Sequence, residues 1–281
     1  MGIVEAIVLG IVQGLTEFLP VSSTAHVRVL PALLNWADPG AAFTAAIQIG
    51  TTVAVLIYFR KDLFSIALGW AKGLRNSEAR QASEWRLGWG IFVGTLPIVV
   101  IGLLTKRWIE NELRSLTVVA IALVGLGLLM GVAERVGRQA KTLEHLTVRD
   151  GLWVGLWQAL AVVPGASRSG STITGALLCG MERSAAARYS FLLSVPAIVA
   201  AAVFSLKEHA SELLTGPLLV PMLVANLFAF ASGWLAIAAL LKLIQTRGLW
   251  PFVVYRVVLG ALLLAMILGG RLDPFVGMAG R

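Results

Sequence analysis

Charge is scarce in this sequence. Of 281 residues only 14% are Asp, Glu, Lys or Arg, against about a quarter in an ordinary soluble domain. A single cysteine, Cys179, excludes an intramolecular disulfide and a cysteine-rich metal site; its apolar neighbours suit a buried thiol. No G-K-[ST] sequence closes a glycine-rich stretch, so a nucleotide-binding P-loop has no support. Residues 1–20 lack a positively charged start and carry Glu5 and Glu17, a pattern unlike a secretory leader.

Apolar residues fill the space. The chain is 58% hydrophobic, with a mean hydropathy of +0.84. Apolar runs occupy 43–59, 87–104, 116–133, 189–206, 217–241 and 251–270, each about 17–25 residues, the length that crosses a hydrocarbon core as a helix. Because backbone groups cannot be left unpaired in lipid, the expected fold is an all-α polytopic membrane protein with six transmembrane helices. No separate soluble domain is expected: residues 1–281 form one membrane domain. The longest loop, 60–86, mixes Trp70 with charges and is expected to lie partly along the interface.

The net charge of +8 is unevenly placed. Loops 60–86, 134–150, 182–188 and 242–250 hold fourteen Lys and Arg, whereas 105–115, 207–216 and 271–281 hold six. The positive-inside rule puts the first group in the cytoplasm and both termini outside. The basic excess is thus an orientation signal, and nucleic acid is not an expected partner. Arg28, Arg168 and Arg256 fall inside apolar regions.

Two further apolar regions, 1–36 and 151–181, are broken by Pro, Ser and Gly. Proline removes a backbone donor, so each is expected to fold back as a re-entrant helical hairpin. They also resemble each other: "GIVQGL" at 10–15 aligns with "GLWQAL" at 155–160, and the same offset places Ser22 over Ser167. Three spans follow each hairpin. An odd number reverses the direction of the second copy, giving an inverted-topology repeat of about 1–140 and 141–281, an arrangement that favours polar sites near the midplane.

The hairpins carry the chemistry. In "QGLTEFLPVSSTAH", Gln13 and Glu17 are four apart on one helical face. Beyond Pro20, Ser22 and Ser23 precede His26 by four and three residues, so a hydroxyl and an imidazole share a face, as a nucleophile and its base require. Thr24 and the helix start could bind an anion. Ionisable carboxylates at membrane depth are costly and face polar cavities, which singles out Glu17. In "PGASRSGST", Arg168 is flanked by Ser167, Ser169, Ser171 and Thr172; a guanidinium fork suits phosphate oxygens. Two blander readings stand beside these. Ser and Thr cap or back-bond in membrane helices, and Arg168 could pair with Glu17 only to hold the hairpins together. The donor set could take a phosphate alone, or one with a divalent cation, Mg²⁺ or Ca²⁺, held by Glu17 and Gln13; Mg²⁺ often takes one or two carboxylates plus waters and substrate phosphates.

These two motifs resemble the signatures of the bacterial undecaprenyl-diphosphate phosphatases, the bacitracin-resistance type of integral membrane phosphatase, and the resemblance runs over essentially the whole chain. The pattern has Glu or Gln at its first position and Glu four residues later, here Gln13 and Glu17; Gln is within the pattern but removes one possible metal carboxylate. Ala25 stands where the pattern has Gly. The resemblance maps the candidate nucleophile to Ser23, the histidine to His26 and the phosphate-binding arginine to Arg168, with Ser167, Ser169 and Thr172 beside it; direct attack by His26, giving a phosphohistidine, stays open, and Ser22 and Thr24 are expected among the substrate-binding residues. It implies a divalent-cation-dependent hydrolase of a polyprenyl diphosphate lipid, surrounded by membrane lipids, in the bacterial inner membrane with its site open to the periplasm. A homodimer is left open. A transporter or flippase for a phosphorylated polyprenyl lipid would need Arg168 but no Ser–His pair, and a protein that merely sequesters the lipid would show no turnover.

The loop charges generate one test. Cysteines introduced as Arg75→Cys and Met278→Cys, in a Cys179→Ser background, are expected to label oppositely with an impermeant thiol reagent on intact cells. Position 278 should react from outside and position 75 should not. Labelling of both from outside would contradict the orientation.

Overall fold

The computed structural model describes residues 1–38, 40–111, 113–215 and 218–276. Parts of the segments 105–115, 207–216, 217–241 and 271–281 lie outside them. Among the described residues the chain is helical, without strands. Five helices are long and apolar enough to cross a membrane: Ser83–Thr105, Leu116–Val136, Arg183–Phe204, Leu219–Arg247 and Trp250–Leu268. The bent pair Ala42–Tyr58 and Arg60–Arg75 makes a sixth if taken as one span. The chain is a polytopic membrane protein.

Each interrupted region is a helix, a break and a second helix. In the first, α1 (Ile3–Phe18) leads to α2 (Ser23–Leu34), with Pro20 in the break. Glu5 accepts from the Gly2 amide at 2.8 Å to cap α1, and Asn35 ends α2 in the left-handed conformation. The chain continues through α3 (Gly40–Ala46), α4 (Gln48–Tyr58), α5 (Arg60–Arg75), α6 (Ser83–Asn111) and α7 (Leu116–Val136). The second broken region holds α8 (Val148–Ala159), started by a Thr147–Asp150 capping box, and α9 (Arg168–Leu178), separated by Pro164 and Gly165. Then come α10 (Arg183–Thr215), α11 (Leu219–Arg247) and α12 (Trp250–Leu268).

Two expectations need adjusting. The run 43–59 is not one continuous helix but is interrupted at Ile47, between α3 and α4. The stretch 60–86 is not simply a loop. It is helical over α5, which turns 71° from the preceding helix and packs against α6. Alternation of charged and apolar residues at helical spacing gives α5 a face for α6 and a face for its surroundings.

The first helix of each broken region packs along a helix distant in sequence. The α1 helix lies along α11, and α8 lies along α6. Glycines permit this closeness: a methyl group on Gly10 would stand 2.3 Å from the Ala225 carbonyl oxygen, and one on Gly155 would stand 2.2 Å from that of Gly94. The α7–α12 pair completes the body. Loops sharing a high basic count also meet. Arg188 pairs with Asp62 at 2.8 Å, Arg183 with Glu134 at 2.6 Å, and Arg86 donates to the Glu144 carbonyl at 2.7 Å. At the other end of α7, Arg114 pairs with Asp38 at 3.3 Å.

Close backbone packing leaves no room to yield. Gly155→Ala is expected to destabilise the protein by about 1–3 kcal/mol, the cost of overpacking. Gly102→Ala, where a methyl group meets nothing within 4 Å, is expected to be neutral or stabilising. Thermal melting in detergent checks both, and equal melting temperatures would contradict this packing.

Candidate active site

The two breaks face each other, and they are built alike. Ser22 precedes α2 with φ 77° and ψ 99°; Ser167 precedes α9 with φ 71° and ψ 116°. Each hydroxyl caps its own helix, Ser22 accepting from the Ala25 amide and Ser167 from the Gly170 amide. Each also touches the hydroxyl two residues on, Thr24 at 3.1 Å and Ser169 at 3.3 Å. Left-handed backbone at a non-glycine residue is strained and persists where surroundings over-determine it. Here the strain aims two helix N-termini, with their unshared amides, at one gap.

That gap is a cavity of about 170 Å³ lined by Glu17, Ser22, Ser23, Thr24, Gln48, Ser167 and Arg168, with Ile98, Ala161, Ala197, Ile198 and Ala201 forming an apolar side. Glu17 organises it. Its Oε1 accepts from Arg168 Nη2 at 2.5 Å, and its Oε2 accepts from Ser23 Oγ at 2.6 Å and from Gln13 Nε2 at 2.9 Å. The Arg168–Glu17 ion pair is therefore present, and it joins the two hairpins directly. The hairpins are stitched further by Ser169 Oγ donating to the Leu19 carbonyl and the Gly165 amide donating to Thr24 Oγ1.

The Ser23–His26 pairing expected from spacing is not formed. Among the described residues no hydrogen bond joins them, and His26 does not line the cavity. Its Nδ1 donates to the Ser22 carbonyl at 2.8 Å, which leaves Nε2 to accept from Tyr255 Oη at 2.6 Å. The rings of His26 and Tyr255 stack at 5.6 Å. Neighbouring positions on a helical face share an environment, but the rotamer chooses the partner. Here the Ser22 carbonyl, turned by its positive φ, takes the imidazole, and Ser23 turns to Glu17.

Ser169 and Thr172 also miss the cavity wall. Thr172 Oγ1 donates back to the Arg168 carbonyl at 2.8 Å and meets Ser190 Oγ, so it fastens α9 to α10. Gln13 touches the site only through Glu17. Its Oε1 is fully buried without a hydrogen-bond partner, and such an orphan invites a ligand or water. One carboxylate, this amide oxygen and nearby hydroxyls fit a Mg²⁺-class cation that keeps waters and substrate oxygens. Among the described residues there is no cluster of three His, Cys, Asp or Glu.

Two participants escaped the sequence reading. Gln48 lines the cavity from the interruption between α3 and α4; a lone amide inside the 43–59 run was its only signal. Arg256 is fully buried beneath both breaks. Nη1 donates to the Pro20 carbonyl at 3.3 Å, and Nη2 to those of Gly165 and Ala166 at 3.0 Å each and of Ala122 at 3.2 Å. Its Nε reaches the Leu123 carbonyl at 3.3 Å. Its presence in an apolar run was visible; its partners were not.

The family described as bacitracin resistance protein BacA matches residues 6–262. A Myxococcus xanthus protein named undecaprenyl-diphosphatase is 52% identical over 278 residues, covering 99% of this chain and 93% of the relative. One of that name from a Nocardioides species is 49% identical, covering 95% and 97%. Another from Thermobifida fusca is 46% identical, covering 99% and 94%. On whole-length similarity of this degree, together with the two converging hairpin motifs, the chain belongs to the BacA bacitracin resistance family.

Proposed function

We propose that the protein hydrolyses undecaprenyl diphosphate to the monophosphate and inorganic phosphate, recycling the lipid carrier for cell-wall synthesis and conferring bacitracin resistance. The observation that carries this reading is the hydrogen bond between Ser23 and Glu17, with Arg168 on the other carboxylate oxygen: a hydroxyl, a proton acceptor and a phosphate-binding fork meet in one cavity. A carrier for the same lipid needs the fork but not the hydroxyl pair. We further read the two hairpins as re-entrant halves of an inverted repeat with six spans, in the bacterial inner membrane with the cavity open to the periplasm. The like-built breaks, the reciprocal insertion of α1 and α8, and the uneven loop charge support that arrangement.

The terminal phosphate enters between the starts of α2 and α9, where amide groups and the Arg168 guanidinium face negative charge. Arg168 turns from Glu17 to the phosphate oxygens, leaving the carboxylate to Ser23. Ser23 Oγ attacks the terminal phosphorus in line and Glu17 takes its proton. The bond to the bridging oxygen breaks, and the polyprenyl monophosphate leaves as an anion. Water then attacks the phosphoserine, the Oγ–P bond breaks, and Ser23 recovers its proton as inorganic phosphate is released. Glu17, with Gln13 hydrogen-bonded to it, would hold a divalent cation that neutralises phosphate charge. His26 acts through the backbone: its Nδ1–H holds the Ser22 carbonyl and with it the start of α2.

The test is phosphate release from a polyprenyl diphosphate by pure protein in detergent, where no second compartment exists. Turnover is expected, and loss with chelator, whereas a carrier or sequestering protein releases nothing. Ser23→Ala should lower kcat by on the order of 10³-fold or more. Ser22→Ala should cost far less, about 0.5–1.5 kcal/mol for one lost hydrogen bond. Arg168→Lys should lose on the order of 10²-fold, because a point charge does not replace a planar fork. An Asn amide can stand in for Nδ1–H and a Gln amide cannot reach the same carbonyl, so His26→Asn should outperform His26→Gln. Equal inactivity of both would return the imidazole itself to proton transfer.

A further inference from the structure

A second cavity, of about 260 Å³, adjoins the first on the side where α2 runs toward Asn35 and α7 begins. Thr24 and Gln48 line both, so these two side chains stand at their junction. The far wall is unlike the first. It carries two guanidinium groups, Arg28 and Arg114, and one carboxylate, Asp38.

Their pairing is loose. Arg28 Nε lies 3.6 Å from Asp38 Oδ2 and has no hydrogen-bond partner, although Arg28 is only 5% exposed. Arg114 Nη2 stands 3.4 and 3.3 Å from the two Asp38 oxygens, and Oδ1 is shared with the Gly40 amide at 3.0 Å. Well-made charge-assisted contacts are about 2.7–2.9 Å. Arg28 spends Nη2 on the Val276 carbonyl. Asp273 also attracts Arg28, but it is exposed and lies outside the cavity wall, where solvent screens it. Among the described residues of the cavity wall, two cations therefore share one carboxylate, and a buried guanidinium N–H lacks an acceptor. A buried donor without a partner is costly, and an oxyanion would supply what is missing.

We propose that this cavity is a second oxyanion site, for an anion of the phosphate class, linked to the reaction cavity across Thr24 and Gln48. Bidentate geometry suits each guanidinium to tetrahedral oxyanions. The proposal rests on the phosphatase reading for the source of its ligand, not for its existence. One source is the inorganic phosphate that the reaction releases, which would pass here on leaving the reaction cavity. The other is a phosphate of the lipid diphosphate.

Binding of radiolabelled inorganic phosphate to the full chain in detergent tests it, with Ser23→Ala as parent so that no covalent chemistry intervenes. The parent should bind two phosphates, whereas Arg114→Gln and Arg28→Gln should each bind one. Arg114 is only part-buried, so its variant keeps the test open even if the Arg28 variant melts early. In an otherwise unsubstituted, active chain, the same two substitutions report on the lipid. An unchanged KM for the lipid diphosphate identifies released phosphate as the ligand. A tenfold rise in KM together with the loss of one bound phosphate assigns the site to a phosphate of the lipid. One phosphate per parent chain, or two phosphates still bound by both variants, overturns the proposal. Failure of the phosphatase reading would appear separately, as absent phosphate release with this binding intact.

Discussion

A guanidinium with no carboxylate among its hydrogen-bond partners sits at the centre of the fold, and the site depends on it. Arg256 is fully buried in α12 and meets carbonyls from the first break, the second break and the middle of α7. Breaking two helices inside an apolar body leaves carbonyls without amide partners, each costly if unmatched. One side chain answers for Pro20, Gly165 and Ala166 together. It thereby fixes the distance between the two helix starts. Its positive charge, matched only by carbonyl dipoles in those contacts, also favours an anion in the gap above it.

With the starts of α2 and α9 held, Glu17 and Arg168 act as a latch across them. Each satisfies the other's buried charge before substrate arrives. In the proposed mechanism a phosphate competes for the same guanidinium, so its binding and the release of the carboxylate would be one event. This reconciles the two readings of Arg168, as tie between hairpins and as phosphate ligand. The tie is the resting arrangement of the ligand.

Much of this was legible in one dimension because it is local. Proline and glycine mark the breaks, serine before each second helix marks a cap, and Gln13–Glu17 spacing marks a shared face. Loop charge sorted into one set the segments that Arg188–Asp62 and Arg183–Glu134 join. What was not legible depends on partners distant in sequence. Ser23 and His26 are three apart, which sets a face but not a rotamer; the choice of Glu17 for one and Tyr255 for the other is made by α1 and α12. Gln48 became meaningful only when the run 43–59 proved to be interrupted beside it. Arg256 looked like an anomaly in a span until two breaks more than a hundred residues apart met above it.

The central claim is that Ser23, not His26, forms the covalent bond to phosphorus. Acid quenching during turnover of a polyprenyl diphosphate, followed by mass spectrometry of the digested chain, addresses it most directly. The account predicts an acid-stable phosphate on Ser23, absent from Ser23→Ala. A Ser23→Ala protein that still turns over and carries acid-labile phosphate on His26 would contradict it.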